Sequence, residues 1–86
     1  MKAFTTLMAL AVLTFSSLTF ASPVNINTAN AEQIAEALTG IGMVKAQAII
    51  DYRSSNGLFS TADQIIMVRG IGDATFEKNK VDILVK

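Results

Sequence analysis

Two Gly-Ile-Gly tripeptides, at residues 40–42 and 70–72, lie thirty positions apart, each between two segments with the apolar spacing of a short helix. The first N–H groups of a helix lack an acceptor within the helix, and the helix dipole places partial positive charge at the same end. A glycine turn that opens a helix can therefore hold a phosphate with backbone N–H groups alone. The repeated tripeptide predicts two phosphate-binding hairpins.

The first hairpin contains five candidate phosphate-binding residues with distinct expected roles. Gly40 is expected to adopt a backbone angle that other residues avoid, and Ile41 is expected to enter the core. A phosphate oxygen can then approach the N–H groups of Ile41, Gly42 and Val44, because Gly42 leaves its backbone bare. Lys45 follows one turn along the helix and adds a full positive charge.

The second hairpin repeats this arrangement with weaker charge. Its candidate phosphate-binding residues are Gly70, Ile71, Gly72, Ala74, Thr75 and Lys78. Thr75 takes the place of Lys45 and keeps a hydroxyl donor without a charge, whereas Asp73 puts a carboxylate beside the site. Glycine turns between helices also occur without any ligand, so one hairpin alone is a weak signal. Two in register favour contact with both strands of a duplex across its minor groove, which carries no sequence information.

The repeat predicts an all-α fold: a compact domain of four to five helices at residues 22–86, made of two helix-hairpin-helix motifs with pseudo-twofold symmetry. We expect an extended segment at 24–27, followed by helices at 31–38, from 43 to a left-handed cap at Gly57, at 61–67 and at 73–79. The first helix start can be capped by Asn27 and Thr28, or by Asn30 with Gln33. The spacing of Ser60 and Asp63 predicts a second capping box.

Apolar spacing also predicts the core. The residues expected to face inward are Val24, Ile26, Ile34, Leu38, Ala46, Ile49, Ile50, Tyr52, Ile65, Val68, Phe76, Val81, Ile83 and Leu84. On the second helix, Lys45, Gln47, Asp51 and Arg53 are expected to face water. Ala46 and its counterpart Phe76 differ in size, so the two motifs are expected to pack asymmetrically.

Composition argues against catalysis and metal binding. The chain has no histidine and no cysteine, the residues on which most metal sites and many nucleophilic mechanisms depend. Its carboxylates are scattered and form no convincing acid and base pair, so we expect neither an enzyme nor a cofactor. Residues 22–86 carry six basic and seven acidic side chains, a net charge of −1, and no disulfide is available to stabilise them.

The first 21 residues have the pattern of a secretory signal peptide. Lys2 precedes an uncharged run over residues 3–20, and Ala21 supplies the small residue needed for cleavage. If this signal peptide is cleaved, the protein is expected to be periplasmic and without stable membrane association. The alternative is an uncleaved anchor, because a run of about 18 apolar residues is long enough to span a bilayer.

The hairpins and their surroundings resemble the double helix-hairpin-helix domain of ComEA-type competence proteins. The residues that carry the resemblance are 24–29, 38–42, Lys45, Ala46, Ala48, Ile49, Tyr52, Arg53, Gly57, Phe59, 68–72, Thr75 and 77–79. The resemblance covers essentially all of residues 22–86. It implies an exported protein that binds double-stranded DNA through backbone phosphates without sequence preference and holds incoming DNA during uptake in natural transformation. Other DNA-uptake proteins are further partners that it implies.

Two departures from the family pattern affect the expected affinity. Many relatives have proline on both sides of the first tripeptide, where this chain has Thr39 and Met43. Near-neutral charge limits counterion release, so we expect weak binding, on the order of micromolar to 100 micromolar. Two alternatives stay open: an envelope protein-interaction module on the same scaffold without significant DNA binding, and a DNA receptor anchored by an uncleaved N-terminal segment.

Overall fold

The computed structural model describes residues 22–86, so the predicted signal peptide at residues 1–21 lies outside the described residues. Short helices make up most of this part of the chain, and they confirm the all-α fold. The elements in chain order are β1 (Val24–Asn25), α1 (Ala31–Ala37), α2 (Gly42–Asn56), a 3₁₀ helix (Ala62–Met67), α3 (Asp73–Asn79), a 3₁₀ turn (Lys80–Asp82) and β2 (Ile83–Leu84). No helix within residues 22–86 has the length and apolar character needed to cross a membrane.

The two ends of the domain meet in a short parallel sheet. Val24 pairs with Ile83 and Asn25 with Leu84, and the N–H of Ile26 donates to the carbonyl of Leu84 at 3.0 Å. Of the extended segment expected at 24–27, only Val24–Asn25 is extended, because the chain turns at residues 26–28, where the N–H groups of Thr28 and Ala29 donate to the carbonyl of Asn25. Val24 and Ile26 are buried as expected. The sheet closes the core beneath the helices by bringing together segments about sixty residues apart.

A capping box starts α1. The side chain of Asn30 accepts from the N–H of Gln33 at 2.8 Å, and the side chain of Gln33 accepts from the N–H of Asn30 at 2.9 Å. Of the two predicted caps, the one formed by Asn30 is therefore correct. Asn27 does not cap the helix. Its buried side-chain amide accepts from the N–H of Phe59 at 2.7 Å and donates to the carbonyl of Phe59 at 3.0 Å. This contact joins the first motif to the connection between the motifs.

The predicted capping box at Ser60 is wrong. The N-cap residue is Thr61, whose hydroxyl donates to the carboxylate of Asp63 and makes no capping bond to the backbone. Gln64 reaches back instead and accepts from the N–H of Ser60 at 2.6 Å. The short helix expected at 61–67 is present as a 3₁₀ helix at Ala62–Met67, and it buries Ile65 as predicted.

The long helix α2 departs from its predicted description in two places. Gly57 ends it with φ of 95° and ψ of 171°, so the angle φ requires glycine but the backbone is extended rather than left-handed helical. Arg53 was expected to face water. Its guanidinium instead donates to the carbonyl of Ile26 at 2.6 Å, because the end of α2 lies beside the N-terminal segment.

The core is formed by one cluster of buried apolar side chains. Its members are Val24, Ile26, Ala29, Ala31, Ile34, Ala37, Leu38, Ile41, Ala46, Ile49, Phe59, Ile65, Val68, Ile71 and Ile83. Ile50, Tyr52, Phe76 and Leu84 are only partly buried. The prediction for Val81 is wrong: its side chain is 80% exposed, since the 3₁₀ turn ahead of β2 directs it outward while Ile83 points inward.

Candidate nucleic-acid interface

The first hairpin has the backbone that its glycines predict. Gly40 has φ of 77° and Gly42 has φ of 67°, a region that side chains disfavour, and Ile41 between them is buried in the core. Ile41 makes no side-chain capping bond at the start of α2. The N–H groups of Gly42, Met43 and Val44 therefore stand at a helix start without an acceptor inside the helix. This arrangement suits an anion.

The second hairpin is similar in its turn and different at its helix start. Gly70 has φ of 90° and Ile71 is buried, whereas Gly72 has φ of −114°, which any residue can adopt. The N–H of Ile71 donates to the carbonyl of Val68 at 3.0 Å, so this group is already paired within the hairpin. Asp73 occupies the first turn of α3, and its carboxylate opposes a bound anion.

Lys45 joins the two hairpins. Its side-chain carbons lie 3.6 to 4.0 Å from the position that a Cβ on Gly70 would occupy. The aliphatic stem of Lys45 from α2 thus crosses the turn of the second hairpin, and the two candidate sites adjoin. The sequence assigned Lys45 to the first hairpin alone, and the structure places it between both.

A buried asparagine on α3 fixes the residue that precedes the first hairpin. Asn79 is 1% exposed, and its side-chain oxygen accepts from the N–H of Thr39 at 2.7 Å. Its amide nitrogen donates to the carbonyls of Thr39 at 2.9 Å and Thr75 at 3.0 Å. The sequence reasoning gave Asn79 no role beyond the family resemblance. Its position three residues after Phe76, on the inward side of α3, was the available signal.

The remaining predicted site residues lie at the surface to different degrees. Val44 is 85% exposed, Ala74 and Lys78 are exposed, and Thr75 is partly buried with its carbonyl bound to Asn79. Their exposure leaves Val44, Ala74 and Lys78 accessible to a ligand. The backbone of Thr75 instead serves a structural role, because its carbonyl accepts from Asn79.

Arg69 is a cation that the sequence reasoning left out of the site. It is exposed and immediately precedes Gly70, so it stands at the entrance of the second hairpin. The salt bridge found within residues 22–86 joins Lys80 to Glu77 at 2.9 Å, which leaves Lys45, Arg69 and Lys78 without a carboxylate partner in that part of the chain. An arginine directly before a hairpin glycine was the signal that could have identified it.

An open groove of about 530 Å³ lies beside Arg69, along the second half of α2. Its lining residues are Ala48, Asp51, Tyr52, Ser55, Asn56, Met67, Val68 and Arg69. Tyr52, one of these lining residues, stacks on the buried Phe59, with ring centroids 5.3 Å apart. The groove carries one charge of each sign, from Asp51 and Arg69.

The chain is similar to known proteins over a region that includes both hairpins. A family model described as a helix-hairpin-helix motif matches residues 20–83. An uncharacterized protein of Haemophilus influenzae is 53% identical over 60 residues, which cover 70% of this chain and 54% of the relative. ComE operon protein 1 of Bacillus subtilis is 51% identical over 63 residues, or 73% of this chain and 30% of the relative.

A more distant relative shows that this unit also occurs within larger proteins. The endonuclease/exonuclease/phosphatase family domain-containing protein 1 of Xenopus laevis is 38% identical over 61 residues, 11% of its length. The chain thus spans about half or less of these relatives. The resemblance to ComEA-type proteins is confirmed by the match with ComE operon protein 1. Because the family model covers most of the chain, including both hairpins, the chain belongs to the helix-hairpin-helix family.

Proposed function

We propose that this chain is a DNA-binding competence protein whose two adjoining hairpins hold the phosphate backbone of duplex DNA without reading its sequence. The observation that carries the proposal is the packing of Lys45 on Gly70, which brings the two repeated hairpins side by side. Similarity to ComE operon protein 1 supports the same role. Neither the family match nor that relative's name indicates catalysis, so the proposed role is binding.

The first hairpin is the stronger of the two proposed contacts. The helix α2 has 15 residues, and its start presents backbone N–H groups where Gly42 has no side chain to obstruct a phosphate oxygen. The dipole of α2 adds partial positive charge at the same end. Lys45 adds a full charge within one turn, and Gly40 and Ile41 hold the loop in place.

The second proposed contact depends more on side chains. The helix α3 has only 7 residues and begins with Asp73, so its dipole supplies little net attraction. Gly72 and Ala74 leave space for the backbone to approach, and Lys78 supplies charge. Arg69 joins them as a cation at the entrance of the hairpin. Contacts of this kind position the duplex and carry no base information.

We further propose that the protein is exported through cleavage of residues 1–21 and holds incoming DNA in the periplasm during uptake. The support is the signal-like pattern around Lys2 and Ala21, together with the similarity to a competence operon protein. The mass of the protein recovered from its native host tests this proposal. The expected mass is that of the chain without its first 21 or so residues. The mass of the full chain would favour the anchored alternative.

Titration with random-sequence duplex at several salt concentrations tests the DNA-binding proposal. We expect dissociation constants on the order of 10⁻⁴ to 10⁻⁶ M, equal for unrelated sequences. Lys45→Gln is expected to weaken binding, because it removes the charge between the hairpins. Lys80→Gln is the matched control, since Lys80 is paired with Glu77. Failure of the wild-type protein to bind in dilute buffer would refute the proposal.

The alternative of a protein-interaction module is favoured by the groove beside Arg69 and by the net charge of −1. Amide chemical shifts separate it from DNA binding. Duplex DNA is expected to move the signals of Gly42 and Gly72. A protein ligand seated in the groove would instead move those of Ser55 and Asn56 while DNA left the hairpins unchanged.

A further inference from the structure

Two exposed apolar side chains, those of Met43 and Val44, lie at the start of α2. We call this pair of residues the hairpin tip. Met43 is 52% exposed and Val44 is 85% exposed, and both follow Gly42 directly in the first turn of α2. Contiguous exposed apolar surface can mark a contact site. The same two residues supply backbone N–H groups to the proposed phosphate site.

The core does not account for the hairpin tip. Ile41, Ala46 and Ile49 bury the inward side of this region, and neither Met43 nor Val44 belongs to the buried cluster. The corresponding residues of the second hairpin are Asp73 and Ala74, one charged and one small. The apolar pair is therefore specific to the hairpin with the stronger proposed phosphate contact.

The low net charge favours an apolar contribution to binding. Residues 22–86 have a net charge of −1, and release of counterions is limited to the few phosphates that Lys45, Arg69 and Lys78 can contact at the hairpins. A contact that buries apolar surface does not depend on salt in this way. The hairpin tip can supply it, because removal of large apolar side chains from water is itself favourable.

The position of the hairpin tip beside the proposed phosphate site indicates what it contacts. When the N–H groups of Gly42 and Val44 hold a phosphate, the neighbouring exposed side chains would lie toward the sugars that border the groove. The minor groove is about 6 Å wide, and apolar side chains that enter it part the base steps and bend the duplex. Resting on the proposed function, we infer that Met43 and Val44 enter the minor groove as an apolar wedge and that the protein bends the DNA it holds.

The wedge gives the protein a preference for deformable DNA without any base-specific hydrogen bond. Flexible TA and CA steps open at lower free-energy cost than the stiff steps of an A-tract. Binding is therefore expected to be stronger on duplexes with a central flexible step. The phosphate contacts keep the same strength on both sequences, because they touch only the backbone.

Fluorescence energy transfer between the two ends of duplexes of about 20 base pairs tests this inference. Wild-type protein is expected to shorten the end-to-end distance and to prefer a central TA step over an A-tract. A Met43→Ser, Val44→Ser variant is expected to bind about tenfold more weakly and to leave the duplex straight. Its slope of log affinity against log salt should equal that of the wild type, because the phosphate contacts remain.

Leu58→Ser is the matched control, because Leu58 is 64% exposed and lies just beyond the C-terminal end of α2, at the opposite end of that helix from the hairpin tip. It should bind and bend DNA like the wild type. Met43→Ser alone provides a milder variant with the same expected direction. Wild-type binding without any change in end-to-end distance would overturn the wedge and leave the proposed function standing. Bending by the double variant equal to that of the wild type would also overturn it. No binding at all would overturn both.

Discussion

Replacing Asn79 by alanine is the most informative test of how the hairpins are held. The side chain is buried on α3 and makes three hydrogen bonds, two of them to the backbone of Thr39 and one to the carbonyl of Thr75. Thr39 directly precedes Gly40. The substitution therefore removes the contact that fixes the first hairpin to the helix of the second.

The expected loss of stability follows from these bonds. A hydrogen bond contributes about 1 kcal/mol net, and a buried group left unpaired costs about 1 to 3 kcal/mol. Thr39 is exposed enough for water to reach its freed groups, which moderates the cost. We expect Asn79→Ala to lower the free energy of unfolding by about 2 to 4 kcal/mol. For a domain of this size that corresponds to a fall in Tm on the order of 10 to 25 °C.

Chemical and thermal unfolding followed by circular dichroism measures this change. Asn56→Ala is the matched control: the amide of Asn56 is exposed and donates only to the carbonyl of Tyr52, so its loss should cost less than about 0.5 kcal/mol. Asn79→Asp keeps the shape but turns a donor into an acceptor facing two carbonyls. It should destabilise at neutral pH by at least as much as alanine does. An Asn79→Ala variant as stable as Asn56→Ala would refute the role of Asn79 in holding the first hairpin.

Three further predictions concern the glycines and charges of the site. Gly42→Ala should cost about 1 to 2 kcal/mol of stability, because φ is 67° there, whereas Gly72→Ala should cost less than about 1 kcal/mol, because φ is −114° and only the preference for glycine over alanine at the N-cap of α3 is lost. Gly72→Ala should nevertheless weaken DNA binding in a titration; unchanged affinity would remove the second hairpin from the interface. Arg69→Gln should reduce the slope of log affinity against log salt by about 0.9, one phosphate contact, while Lys80→Gln leaves it unchanged.

Features set by local spacing were predictable from the sequence. The buried isoleucines at 41 and 71, the capping box at Asn30 and the bounds of α3 each depend on residues within one or two turns of one another. Glycine at 40 and 70 adopts positive φ because each tight turn between helices needs it there. The family resemblance rests on the same local signals.

Features that depend on distant partners were not predictable. Asn27 and Asn79 are polar residues that the sequence assigned to a cap or to no role, and their burial follows from backbone groups 32 and 40 positions away. The helix at Ala62 is a 3₁₀ helix and has one residue fewer between its buried isoleucine and Gly70 than α1 has before Gly40. Val81 faces outward, because the pairing of β2 with β1 places Ile83 rather than Val81 in the core.

The pairing of β1 with β2 has a consequence for how the domain assembles. A ribosome or a translocation channel releases the chain from its N-terminal end, so Val24 and Asn25 emerge long before Ile83 and Leu84. Both helical motifs can form before that, but β1 stays unpaired until almost the whole domain has emerged. Closure of this distant pair is expected to be the slowest folding step, because loop closure must precede the contact. Until then an exposed backbone edge is available to chaperones or to a second unfinished chain.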